Sequence, residues 1–264
     1  MMGRILFLIL FSLTLQANAQ FRSLNPMSFL PSENPSFVVS PMDYNKAGAY
    51  YQSSGGRGIQ GQMNLDKIYS AVGVDVYQNS NAFNAAALQF ATHSYTTRSN
   101  LHVGIGGRAE FTNYENQNFA YAVGLNVMSN PAGKFMVGLS YKSNDLQVMP
   151  FNNEVKNVSQ VLCTQVGWSF LNLSRRSTLA FSGIYKRGFE NESKLRQYQG
   201  GLNFSTRQYA VGMGVRTWDN VHSGAYIRGM LIYRKFVGVY TGLASDKHKS
   251  LQHLNHEISL QYKF

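Results

Sequence analysis

Leu101-His102-Val103-Gly104-Ile105-Gly106-Gly107-Arg108-Ala109-Glu110-Phe111 carries two different surfaces on one ribbon. Leu101, Val103, Ile105, Gly107, Ala109 and Phe111 are apolar or small. Between them lie His102, Gly104, Gly106, Arg108 and Glu110. Successive side chains of an extended strand point to opposite faces, so a period of two makes this a half-buried strand, apolar on one side and polar on the other.

The same alternation runs outward from this window in both directions. Phe119, Tyr121, Val123, Leu125 and Val127 oppose Ala120, Ala122, Gly124 and Asn126, and Phe135, Val137, Leu139 and Tyr141 oppose Met136, Gly138, Ser140 and Lys142. Leu162 to Phe170, Leu179 to Tyr185 and Tyr209 to Val215 repeat it, and the chain closes on Ile258, Leu260, Tyr262 and Phe264 against Glu257, Ser259, Gln261 and Lys263. From residue 45 to the end these windows predict about 14 strands, and no second domain.

A soluble β-sandwich alternates too, so the membrane has to be argued separately. The windows run to about 9–13 residues, near the ~9–11 that cross a bilayer and well above the ~5–6 usual in soluble sheets. Aromatic residues recur near window ends, at Tyr69, Tyr77, Tyr95, Phe111, Trp168, Tyr185 and Trp218, where interfacial girdles sit. The polar face is rich in Gly, Ser, Asn and Gln, as a barrel interior is. The fold expected is all-β: a transmembrane antiparallel β-barrel over residues 45–264, preceded by an irregular N-terminal segment.

The two chain ends agree. Arg4, the apolar run Ile5 to Leu15 and Ala17-Asn18-Ala19 make a signal peptide over residues 1–19, cleaved after Ala19. The run is too short for a membrane-spanning helix, which takes roughly 20 apolar residues. Residues 20–44 hold Pro26, Pro31, Pro35 and Pro41, which bars a central strand and predicts a plug in the lumen or a periplasmic contact. Ile258, Leu260, Tyr262 and the terminal Phe264 form the alternating aromatic C-terminus that outer-membrane assembly machinery reads. The expected location is the bacterial outer membrane, with its lipid as the immediate partner.

Composition narrows the chemistry. The net charge is +11, and only 14% of residues are charged. That balance favours anionic partners, although an exported chain with no nucleic-acid-binding module is not expected to bind nucleic acid. Cys163 is the only cysteine, which excludes an intrachain disulfide and a cysteine metal cluster. It reads as a buried, inert thiol. Gly104-x-Gly106-Gly107 lies inside a strand, without the strand-to-helix setting of a dinucleotide site, and reads as relief of crowding at a barrel wall. The histidines, His93, His102, His222, His248, His253 and His256, sit in no catalytic or metal-ligand motif. Neither enzyme nor cofactor is expected.

Alternation assigns the charges. Lys67, Arg108, Lys142, Lys186, Arg216, Arg228, Arg234 and Lys263 are expected to point inward, against Asp75, Glu110 and Glu257. Two readings follow: a basic lumen that draws in an anionic solute or acidic peptide, or a network of ion pairs bracing a narrow barrel. The longest polar loops are expected at Ser143 to Asn157 and Ser245 to Asn255.

Gln20-Phe21, the pairs Asn25-Pro26 and Asn34-Pro35 with Ser36-Phe37, and the closing His256 to Phe264 resemble the PorP/SprF family, as a divergent member. The Asn-Pro pairs stand wider apart than is usual there, and Ser53 to Gln62 is glycine-rich where that family carries an aromatic-containing segment. The resemblance implies an outer-membrane barrel of the type IX secretion system of Bacteroidota. Its role would lie in secretion, gliding motility or surface anchoring of an adhesin through that adhesin's C-terminal domain, alongside a peptidoglycan-binding periplasmic protein. The alternative from another class is a passive channel for small anionic or amphipathic solutes.

Overall fold

The structure is a computed structural model. It describes residues 34–38, 45–53, 56–65, 69–79, 84–96, 101–113, 118–129, 135–148, 155–174, 177–189, 196–206, 208–217, 223–245 and 255–264. The expected signal peptide and most of the proline-rich segment fall outside these residues.

Fourteen strands follow the 3-10 turn Pro35–Val38: β1 (Lys46–Gln52), β2 (Gly56–Leu65), β3 (Ser70–Asn79), β4 (Asn84–Thr96), β5 (Leu101–Asn113), β6 (Asn118–Ser129) and β7 (Phe135–Val148), then β8 (Val155–Ser174), β9 (Ser177–Gly188), β10 (Arg196–Thr206), β11 (Tyr209–Thr217), β12 (Ser223–Tyr233), β13 (Phe236–Ser245) and β14 (Asn255–Lys263). Each pairs antiparallel with its sequence neighbours. The sheet closes where β1 meets β14, from Lys46 opposite Lys263 to Gln52 opposite Glu257. Closure leaves no strand edge with unpaired amides, the condition for placing a sheet in hydrocarbon.

The alternation sorts as the sequence predicts. Leu88, Phe90, Ile105, Val123, Leu125, Val215 and Ile227 lie outside, each at least half exposed, while Gln89, Arg108, Asn126, Ser140, Gln165 and Ser259 are buried inside. Soluble monomers rarely expose apolar patches beyond a few hundred Å². At roughly 1.5–3 kcal/mol per large apolar side chain kept from water, a belt round the whole barrel commits the outside to lipid. Ile258, Leu260, Tyr262 and Phe264 belong to this outward face.

Three details depart from expectation. Tyr77 is not in a girdle: it shares the inward parity of Asp75, is 1% exposed and stacks on Tyr50 at 6.3 Å. The predicted loop Ser143 to Asn157 is shorter, because β7 runs on to Val148 and β8 starts at Val155. There Asn144 takes a φ of 47°, and side chains replace the ladder to β6: the Ser143 hydroxyl accepts from Tyr121 N, and Asn144 Nδ2 donates to Phe119 O. The irregularity broke the period of two and read as loop. Finally, Arg234 is not luminal. Its strand ends at Tyr233, and Arg234-Lys235 form a two-residue turn with Arg234 at φ 55°, its guanidinium 5.4 Å from the centre of the Tyr233 ring.

The chain enters β1 and leaves β14 at the same mouth, so the connections alternate between two ends. At the terminal mouth lie tight links such as Arg234-Lys235 and residues 175–176. The far mouth carries the longer ones, at 149–154, 190–195 and 246–254. Short periplasmic turns and longer extracellular loops are the habit of outer-membrane barrels.

Candidate functional site

The lumen is a polar surface that the closed barrel walls off from the apolar outside, and each wall strand contributes alternate side chains to it. On β3 and β5, Arg108 Nη2 lies 3.1 Å from Asp75 Oδ2 and 3.0 Å from Glu110 Oε2, while its Nε donates to the same Glu110 oxygen at 3.1 Å. The Arg108 side chain is 2% exposed. The planar guanidinium fork suits two carboxylates at once. Lys142 is buried against Asp145, which the irregularity at Asn144 brings within reach.

Lys186, Arg216 and Arg228 are buried inward-facing residues as predicted, and so are Glu110 and Glu257. Arg228 Nε and Tyr226 Oη have no hydrogen-bond partner among the described residues. Lys263 is half-buried at the terminal mouth, and Lys67 lies outside the described residues. The inner charge is therefore less one-sided than alternation suggested: Arg234 leaves the lumen, and Asp145, hidden in the predicted loop, joins it. Two histidines on the consecutive strands β4 and β5 also meet, His93 and His102, with ring centroids 5.9 Å apart. No motif could have revealed that, because strand register alone brings them together. Cys163 is buried and in no disulfide.

Inside this wall sits a piece of the proline-rich segment. Asn34, Ser36 and Phe37 are 0%, 0% and 4% exposed. Pro35 fixes its own φ, and Asn34 closes the turn: its Oδ1 accepts from Ser36 N at 3.1 Å and from Ser36 Oγ at 2.6 Å, while its carbonyl accepts from Phe37 N at 3.1 Å. Three bonds tie the turn to β6. Asn34 Nδ2 donates to Leu125 O at 3.0 Å, and Asn126 Nδ2 donates to Ser36 O at 2.9 Å and to Ser36 Oγ at 3.1 Å.

The wall is hollowed to receive it. A Cβ at Gly106 would lie 2.6 Å from the Pro35 carbonyl group, one at Gly124 1.9 Å from Asn34 Oδ1, and one at Gly138 2.6 Å from the Phe37 ring. These glycines lie on adjacent strands β5, β6 and β7, with Gly106 directly opposite Gly124. They form a groove one side chain deep. Gly104, against Asn126, and Gly106, against the N-terminal turn, relieve crowding as predicted for this run, whereas Gly107 is uncrowded.

Replacing Asn126 by Ala removes its donor to Ser36. With ~1–3 kcal/mol for a buried hydrogen-bonding group left unpaired, protection of the Phe37 amide against hydrogen exchange should fall roughly 5- to 100-fold. Unchanged protection would show that the glycine groove alone holds the turn.

Compared with known proteins, the barrel is similar to the outer membrane protein Omp33 of Acinetobacter baumannii, with a TM-score of 0.58 and 12% identity over 85% of this chain and 100% of that one. The fold is that of an outer-membrane β-barrel. The channel CymD, described as a monoaromatic hydrocarbon channel, matches with a TM-score of 0.54 and 9% identity over 94% and 95% of the two chains. The P. putida toluene transporter TodX matches at 0.51 and 8% over 88% and 92%. No family model and no curated protein matches the sequence.

Proposed function

We propose that this chain is an outer-membrane channel for small anionic or amphipathic solutes, narrowed by its own N-terminal segment, and that it catalyses no reaction. The observation that carries the reading is the polar inner wall bearing Lys186, Arg216 and Arg228 within a barrel whose outside is apolar. Asp75, Glu110 and Asp145 pair with Arg108 and Lys142, and a local excess of one sign on the remaining wall focuses the field and raises the local concentration of the opposite sign. The names of CymD and TodX, a channel and a transporter on this fold, support transport as the class of activity.

The test is reversal potential in planar bilayers under a salt gradient. Purified, folded barrel should pass anions in preference to cations, and R216Q with R228Q should move that preference toward neutrality. A folded barrel that passes no ions would sink the channel reading.

A second reading has its own observation. The seated Asn34 to Phe37 turn narrows the barrel, which suits a holder of proteins better than a free pore. Together with the PorP/SprF resemblance, it supports a type IX secretion role in anchoring an adhesin. Mild-detergent pull-down from outer membranes would then recover a large secreted surface protein or a peptidoglycan-binding partner. Recovery of the barrel alone would count against it.

A further inference from the structure

On the outer face of β9 and β10, Arg187 stands directly opposite Arg196. Both side chains are exposed. Cβ atoms of directly opposed residues are roughly 5 Å apart, and like charges there repel. Among the described residues no carboxylate pairs with either guanidinium. Arg187 instead lies 5.8 Å from the ring of Phe189, which is 51% exposed. The connecting segment, residues 190–195, carries Glu190, Glu192 and Lys194 and lies outside the described residues.

Below the pair the outer face changes in a fixed order. Tyr185 opposes Tyr198 with ring centroids 4.9 Å apart, Gly183 opposes Gly200, and Phe181 opposes Leu202. Each step is about 7 Å along the strands. The sequence of charge, aromatic pair, glycine step and apolar pair therefore spans headgroup, interface and hydrocarbon depths. Both arginines lie beside the 190–195 connection, at the mouth with the longer links. Two adjacent guanidinium forks with no acidic partner match the oxygens of a phosphate.

We propose that Arg187 and Arg196 form a binding site for the phosphate of a phosphorylated outer-leaflet glycolipid, with Tyr185 and Tyr198 against its sugar and Phe181 and Leu202 against its acyl chains. The site lies outside the lumen, so its assignment does not depend on which solute or protein the barrel serves.

The experiment titrates bisphosphorylated lipid A into detergent-solubilised full-length barrel and counts bound lipid by native mass spectrometry. At ~1 kcal/mol per surface Arg acting on anionic lipid, R187Q/R196Q should weaken binding roughly 10- to 30-fold, and R187K/R196K should lose less. Dephosphorylated lipid A should bind wild type about as weakly as phosphorylated lipid A binds the Gln variant. Comparing the two lipid A forms on wild type alone needs no variant to fold. Equal wild-type binding of the two lipid A forms would overturn the proposal. Equal binding of phosphatidylglycerol would overturn the outer-leaflet assignment, and displacement by millimolar inorganic phosphate would overturn recognition of a lipid.

Discussion

Replacing Gly106 by Val should drive the N-terminal turn from its seat and raise single-channel conductance several-fold. The clash is with backbone: a Cβ at Gly106 would meet the Pro35 C and O and the Ser36 N at 2.6 Å. A flexible side-chain tip could swing aside, but this peptide unit sits between Asn34, tied to Leu125 O, and Ser36, tied to Asn126. The wall gives less readily than the turn, because its ladder bonds on both sides of β5 hold it in place. Valine also favours strands where glycine weakens them, so the barrel should fold and keep its heat-modifiable migration in gels.

Conductance is the direct reading, and hydrogen exchange at Phe37 the independent one. A rise in both places the turn in the permeation path. Lost protection without a change in conductance would mean that the turn leaves a route past itself. Gly124→Val should act in the same direction but less, since the nearest atom there belongs to the Asn34 side chain rather than to backbone.

The second large effect is expected at Arg108. Its guanidinium is shared by Asp75, half-buried at a side-chain exposure of 12%, and Glu110, buried at 1%. Arg108→Met keeps much of the volume and leaves two carboxylates near each other without their cation. Removing one partner of a buried ion pair costs about 3–5 kcal/mol, which would shift the urea midpoint of unfolding by one to several molar at ordinary slopes. The triple variant R108M/D75N/E110Q should recover most of the loss, because the charges left alone by the first change are gone. If R108M alone unfolds like wild type, the triad does not brace the wall. This favours the bracing reading of the luminal charges around β3 to β5, while Arg216 and Arg228, on the opposite wall, are the residues assigned to solute selection.

Most of the architecture was readable because a barrel is built from one local rule applied many times. Each window needs only one face for lipid and one for the lumen, so Leu101 to Phe111 could be read without its neighbours. The inward direction of Arg108, Lys142, Lys186, Arg216 and Arg228 followed from the same parity, as did the outward face of Ile258 to Phe264. Parity failed where a strand stopped or slipped. Arg234 lies one residue beyond the end of β12, and Asn144 breaks the alternation, hiding Asp145 in an apparent loop. Tyr77 was misplaced because an aromatic near a strand end suggests an interface, although its parity with Asp75 already pointed inward.

By itself, then, the sequence determined the strand periodicity, the lipid-facing belt and the segment too rich in proline to join the sheet, all properties of a residue and its near neighbours. Only the tertiary structure decided which residues meet. Gly106, Gly124 and Gly138 become one groove, and Asn34 finds Leu125, because closing the barrel fixes the register between strands. The register of consecutive strands likewise sets His93 beside His102 and Arg187 opposite Arg196. Register comes from summed backbone pairing around the ring, and a period-two pattern is indifferent to any slip by two residues.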